Sequence, residues 1–309
     1  MVLIRNPAAA GQFYARFKPE LIKSIEKCFN DSEFGPGAPL IIGNAPADQP
    51  RQVLGAICPH AGYIYSGPAA AYSYQSIFKE RVPDTVIILG TQHTGYYQVA
   101  TMISGIWKTP LGQVKVDEDV AKTLVQDNSP IIPDDAAFNG FPHGREHNIE
   151  VQIPFIQYAT LQAKKSIQIV PLKIGSMDAS LLEKVAIKIA EVIQSSSTKD
   201  IAIIASSDMT HYQPRNPYSP KKEIELNQYE RDKKVISAFE SFNWRDTFSN
   251  AKKTTVCGPQ TIATLMITAE KLGYGHPHAL KYYTSFQKMG EQVPCDYSVG
   301  YFAGAISNT

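Results

Sequence analysis

The sequence predicts an α/β fold: a mixed, largely parallel sheet flanked by helices. Three observations carry that prediction. Short apolar runs recur along the chain, helical patterns lie between them, and the runs are continuous rather than alternating. Val86-Ile87-Ile88-Leu89 and Ile201-Ala202-Ile203-Ile204 are examples. Continuous apolar runs are the pattern of strands covered on both faces, which belong to parallel or mixed sheets.

The expected strands are 52–58, 85–90, 166–174, 201–206 and 298–306. The expected helices begin with 19–29. Leu181–Gln194 repeats apolar residues at helical spacing, with Ser180 and Glu183 in the positions of a capping box. Pro259–Leu272 has proline in its first turn and Gly273 just past its end. Residues 222–238 are highly charged and read as a surface helix. Residues 35–50 and 127–145 read as long loops, and 214–222 as a solvated one. Strand–helix alternation resumes after each long loop, so one domain over 1–309 is expected.

The 309 residues are 43% hydrophobic and 19% charged, with a net charge of +1. Such a balance argues against a nucleic-acid or anionic-membrane partner. Cys28, Cys58, Cys257 and Cys295 show neither C-x-x-C spacing nor the density of a disulfide scaffold. Reduced thiols, no apolar leader after Arg5 and no uncharged run of membrane-spanning length lead to a cytoplasmic expectation.

Three of the expected strands run into histidine. Leu54–Cys58 leads to Pro59-His60, Val86–Gly90 to Thr91-Gln92-His93, and Ile201–Ser206 to Asp208 and His211. Ligands of open α/β sheets bind beyond the carboxyl ends of strands. If the three strands are parallel neighbours, His60, His93, Asp208 and His211 converge. A lone histidine is more often a structural residue than a ligand, but packing alone does not explain three placed alike.

Cys257 directly precedes the helix from Pro259, where the dipole would favour thiolate. His60, His93, His211 and Cys257 are therefore assigned to one polar, metal-binding site. Glu146, His147 and Tyr63 are placed in its substrate pocket, with Tyr65 and Tyr212 as further cleft aromatics. Glu146 and His147 open an expected helix over 148–158, where early carboxylates also suit the dipole. His143 sits in a loop without neighbouring chemistry. His276 and His278 fall in a Gly/Pro-rich turn and receive no role. Cys28 and Cys58 read as buried fillers.

These segments also carry a family resemblance. Arg5–Tyr14, Pro59–Gly67, Leu89–His93, Glu146–Phe155, Ser206–Tyr212, Cys257-Gly258 and Asp296–Tyr301 resemble, in order and spacing, the Memo family. In prokaryotes that family is called AmmeMemoRadiSam system protein B, and the Pro7–Tyr14 opening is similar to the prokaryotic form. Thr91-Gln92 stands where Gly-Pro is more common, and Thr210 where serine is frequent. Both changes leave the histidines in place.

The resemblance implies a fold similar to LigB-type class III extradiol dioxygenases, with a pocket of two histidines and a cysteine. By motif these are His60, His93 and Cys257, with Asp208 and His211 lining the same pocket. Apart from the resemblance, an ordinary histidine pKa of about 6.5 suits His211 to acid–base work, and Asp208, three residues earlier, could orient a histidine or a bound water. It further implies iron or copper and redox chemistry, and a functional association with AMMECR-type and radical SAM proteins. Two imidazoles and a thiolate suit copper, iron or zinc rather than Mg²⁺ or Ca²⁺. The expected function is a redox-active metal protein acting on a small molecule. A metal-assisted or cysteine-dependent hydrolase or transferase and a non-enzymatic peptide-binding adaptor are the alternatives.

Overall fold

The computed structural model describes residues 2–46, 49–139, 146–196 and 198–309. The elements run β1 (Ile4–Arg5), α1 (Lys18–Asn30), β2 (Val53–Cys58), α2 (Tyr63–Phe78) and β3 (Thr85–Thr91). Next come β4 (Val99–Thr101), β5 (Ile106–Thr109), β6 (Gly112–Val116), α3 (Glu118–Leu124) and β7 (Ile131–Pro133). They continue through α4 (Ile153–Ala163), β8 (Gln168–Ile174), α5 (Ala179–Ser195), β9 (Ile201–Ser206) and β10 (His211–Tyr212). The chain closes with α6 (Lys221–Glu240), α7 (Trp244–Lys252), α8 (Pro259–Lys271), β11 (His276–Thr284), α9 (Ser285–Lys288) and β12 (Ser298–Ser307).

All twelve of these strands join one sheet: nine follow the order β1-β5-β6-β8-β3-β9-β2-β12-β10, β11 pairs with β12, and β4 pairs with β7 and β8. β6, β8, β3, β9 and β2 are mutually parallel. The β12 strand turns the sheet antiparallel, pairing with β2, β10 and β11. Every residue of β3, β9 and β12 is buried. Two-sided cover is why their sequences lack alternation.

The strands expected at 52–58, 85–90, 166–174, 201–206 and 298–306 are present to within two residues at each end. Helix α5 is capped by Asp178, whose side chain accepts from Leu181 N, rather than by Ser180. The carboxylate two residues earlier, in extended backbone, reaches that amide. The segment expected as a helix over 148–158 starts as a 3-10 turn at Glu150–Gln152 and becomes α-helix only at Ile153.

Helix α2 had no periodic signal. Eleven of its sixteen residues are buried, and Pro68 lies inside it. A helix covered on most sides has no polar stripe to reveal its period. His276 and His278 lie at the start of β11, not in a turn. His278 Nε2 is 2.7 Å from Ser307 Oγ. Pairing with the long β12 overrides local turn chemistry there. His143 falls outside the described residues. No helix among the described residues is long and apolar enough to cross a membrane.

Candidate functional site

Parallel pairing brings the ends of three strands level. Cys58 of β2 sits opposite Ser206 of β9, and Leu89 of β3 opposite Ala205. The residues that follow, His60, His93 and Asp208, therefore leave the sheet at one edge. The Asp208 carboxylate ties two of these ends together. Its Oδ1 accepts from the backbone N–H of His60 at 2.7 Å and of Ala61 at 3.3 Å. Burial pushes the Asp208 carboxyl up to about 7, against the lowering effect of those two N–H groups.

The Cys257 turn docks on the same edge. Cys257 N donates to Asp208 O at 3.2 Å, and Thr91 Oγ1 donates to Cys257 O at 2.9 Å. Gly258 N donates to Ser207 Oγ at 3.0 Å. A Cβ on Gly258 would lie 2.5 Å from Thr261 Oγ1 and 2.9 Å from Ser206 O. The Cys-Gly pair thus lets α8 approach β9 closely. Gly90 acts alike on the other side, where a Cβ would strike Ile149 Cγ1 and Asn148 Oδ1.

His60 is fully buried, and its tautomer follows from its neighbours. Ser206 Oγ donates its single hydrogen to Asn148 O at 2.7 Å and accepts from Gln152 Nε2 at 2.9 Å. A hydroxyl has one hydrogen to give. At 3.0 Å from His60 Nδ1, Ser206 Oγ can only accept, so the network assigns the proton to Nδ1. The lone pair is left on Nε2, which is buried without a hydrogen-bond partner. Burial, then the nearby His93, His147 and His211, hold the His60 pKa well below 6.5. For His93, burial, then His147, His211 and Lys173, lower it to about 4. Both rings are neutral at pH 7, the form that binds metal.

One donor atom from each of His60, His93 and Cys257 lies within 4.8 Å of the others. Asp208, His211 and Cys257 form a second such group. Cys257 Sγ is 3.0 Å from His211 Nε2, and His211 Nδ1 is hydrogen-bonded to the Tyr297 hydroxyl. Burial also lowers the His211 pKa, so the ring is neutral rather than poised at its ordinary 6.5.

The thiolate expected at Cys257 from the helix dipole is corrected. Burial, then the Asp208 carboxylate, push its pKa well above the ordinary thiol value. Cys257 precedes the Gly258 cap and lies outside helix α8, so desolvation outweighs the dipole.

These side chains open on a cavity of about 780 Å³, lined by His60, His93, His147, Asp208, His211 and Cys257 among others. His147 stacks on Phe13 with ring centroids 4.4 Å apart and on His93 at 5.0 Å. Tyr65 is a lining residue, whereas Tyr63, Tyr212 and Glu146 are not. The Tyr63 hydroxyl turns away and donates to Val151 O at 2.6 Å. Tyr212 packs with Ile224, Phe286 and Cys295. Glu146 is buried beside Arg5, their charged groups 3.7 Å apart.

Sequence reading gave no role to Ser206, Gln152, Tyr297 or Phe13. All four lie in or beside the segments quoted above. The missing signal was contact: Ser206 meets His60, and Gln152 meets Ser206 and the Pro59 carbonyl, only through the folded sheet edge.

The fold and cavity define an α/β protein with a histidine–cysteine donor set at the carboxyl edge of a mixed sheet. The chain belongs to the Memo family: the family model described as Memo-like protein matches residues 5–305. It is similar to the MEMO1 family protein of Saccharolobus solfataricus, 39% identical over 307 residues, 98% of this chain and 99% of the relative. The MEMO1 family protein of Sulfurisphaera tokodaii is 39% identical over 293 residues, 94% of this chain and 95% of the relative. That of Methanopyrus kandleri is 36% identical over 304 residues, 97% of each chain.

Proposed function

We propose that His60, His93 and Cys257 hold one redox-active transition-metal ion, iron or copper, and that the protein acts on a small molecule in the adjoining cavity. The observation that carries this reading is His60 Nε2, a buried lone pair without a partner beside two further donors. A buried polar atom left unpaired costs about 1–3 kcal/mol, and coordination would remove that cost. The mixed nitrogen–sulfur donors fit iron, copper or zinc. A bound iron or copper ion supplies redox chemistry and, with three protein ligands, an open position for an exogenous ligand.

The chain's own groups do the rest. Ser206 holds the His60 proton at Nδ1. His211 Nε2 accepts the Cys257 proton when the thiol is deprotonated. Asp208 fixes the His60 and Ala61 amides.

Elemental analysis after loading metal-free protein separately with Fe(II), copper and zinc tests this. Wild type retains about one equivalent of iron or copper, and His60→Ala and Cys257→Ser each lose most of it. Unchanged metal content in both variants would overturn the reading.

The 3.0 Å approach of Cys257 Sγ to His211 Nε2 favours a second reading, a cysteine-dependent hydrolase or transferase. There the thiol is the nucleophile, His211 the base and Tyr297 the residue that orients it. Ester turnover by metal-stripped protein, kept by His60→Ala and lost in His211→Ala, would select it.

A further inference from the structure

Helix α6 buries an inner stripe of Ile224, Gln228, Asp232, Val235, Ala238 and Phe239. The stripe follows helical spacing, yet two polar side chains interrupt it, and both are fully buried. A carboxylate taken out of water is costly unless its oxygens are bonded. An apolar side chain would extend the stripe without that cost. Asp232 is therefore explained by what it holds.

It holds the residue before His211. Asp232 Oδ1 accepts from Thr210 N at 2.9 Å, and Gln228 Nε2, one turn earlier, donates to Thr210 O at 3.2 Å. Both backbone polar groups of one buried residue are thus gripped from the same helix face. Tyr282 Oη of β11 donates to Asp232 Oδ2 at 2.8 Å and fixes the carboxylate. Gly300 of β12 makes room for it, because a Cβ there would strike Asp232 Oδ2.

The grip matters because β10 is short. Only His211 and Tyr212 form it, opposite Val299 and Ser298 of β12. Successive strand residues face opposite sides, and a slip by one residue exchanges the sides. In the observed register His211 lines the cavity with Nε2 3.0 Å from Cys257 Sγ, while Tyr212 packs with Ile224, Phe286 and Cys295. A slip would take the imidazole away from the thiol.

We infer that Asp232 and Gln228 are positioning residues for His211: by gripping Thr210 they hold the imidazole on Cys257. The inference rests on the reading above in which His211 Nε2 takes the Cys257 proton.

The test follows the His211 ring itself. Long-range proton–nitrogen correlation spectra are recorded on the metal-free full chain with nitrogen-labelled histidine. The His211 ring signals are assigned by their loss in His211→Gln. Asp232→Ala loses the wild-type His211 signals, while those of His276 and His278 at the far end of β11 stay in place and report an intact fold. Asp232→Asn keeps the wild-type signals, because its amide oxygen still accepts from Thr210 N. Gln228→Leu displaces the His211 signals as well. It leaves Thr210 O bonded to Gly300 N at 3.1 Å, so it decides the matter even where Asp232→Ala does not fold.

Wild-type His211 signals in Gln228→Leu and in folded Asp232→Ala overturn the inference. So does their loss in Asp232→Asn, since that variant keeps the grip and removes only the charge. The reading beneath fails separately, as His211→Gln in which iodoacetamide alkylates Cys257 as fast as in wild type. Under that reading the variant reacts at least fivefold more slowly.

Discussion

Ser206 Oγ lies 3.0 Å from His60 Nδ1 with its only hydrogen committed to the carbonyl of Asn148. This one hydroxyl decides which nitrogen of His60 faces the cavity with a lone pair. It comes from the last residue of β9 and acts on a residue just past the end of β2, so the parallel pairing of the two strands creates the relationship.

The first prediction concerns that hydroxyl. Ser206→Ala removes the acceptor for His60 Nδ1–H and for Gln152 Nε2. Loss of such an outer partner typically lowers metal affinity about 10–100-fold. Competition with a calibrated chelator is expected to show that drop while far-ultraviolet circular dichroism stays unchanged. Affinity equal to wild type would show that the Nδ1 partner is immaterial.

The second concerns Glu150, which sequence reading placed in the first turn of a helix. Its carboxylate accepts from Arg5 Nη1 at 2.6 Å, from the N–H of Ala8 and of Ala9 at 2.8 Å each, and from Tyr14 Oη at 2.6 Å. It therefore anchors the segment that carries Phe13 to the cavity. Glu150→Gln removes the 2.6 Å ion pair and leaves Arg5 only the longer 3.7 Å approach of Glu146, and breaking a buried pair costs about 3–5 kcal/mol. Urea denaturation is expected to show a loss of that order. A change below about 1 kcal/mol would contradict the anchoring role.

The third sets a pH dependence. Burial raises the pKa of Asp200, but its hydrogen bonds and charge contacts with Arg51 and Arg81 outweigh burial and hold it below 3.8. Arg51 Nη2 and Arg81 Nε approach Asp200 Oδ2 at 2.7 and 2.8 Å. A depressed carboxyl contributes stability that is fully present above its unfolded value. That contribution is lost as pH falls through the lower folded value. Asp200→Asn should therefore be less stable than wild type by about 3 kcal/mol at pH 7. Denaturant midpoints compared from pH 7 down to pH 2.5 should converge as the pH falls below about 3.8. A gap that stays constant across that range would rule out the ion pairs as its cause.

Much of the sheet was legible because β3, β9 and β12 are buried along their whole length and so read as unbroken apolar runs. Helix α5 was legible because one face stays in water and preserves the 3.6-residue period. Helix α2 was not, because burial on most sides removed that contrast. The short strands β4 and β7 carry three residues each, too few for either period to register.

The candidate site divides in the same way. Residue types beside strand ends are a local property, so His60, His93, Asp208, His211 and Cys257 could be assembled from sequence. Which groups face one another is not local. Tyr63 and Glu146 stand in the same segments as true lining residues, yet their side chains turn into the protein. Tyr297 reaches His211 across 86 positions of chain. The sequence by itself determined the chemistry available at this sheet edge. Only tertiary structure decided the protonation of that chemistry. The His60 tautomer depends on a hydroxyl 146 positions away, and the Cys257 thiol on how much water the packed edge excludes.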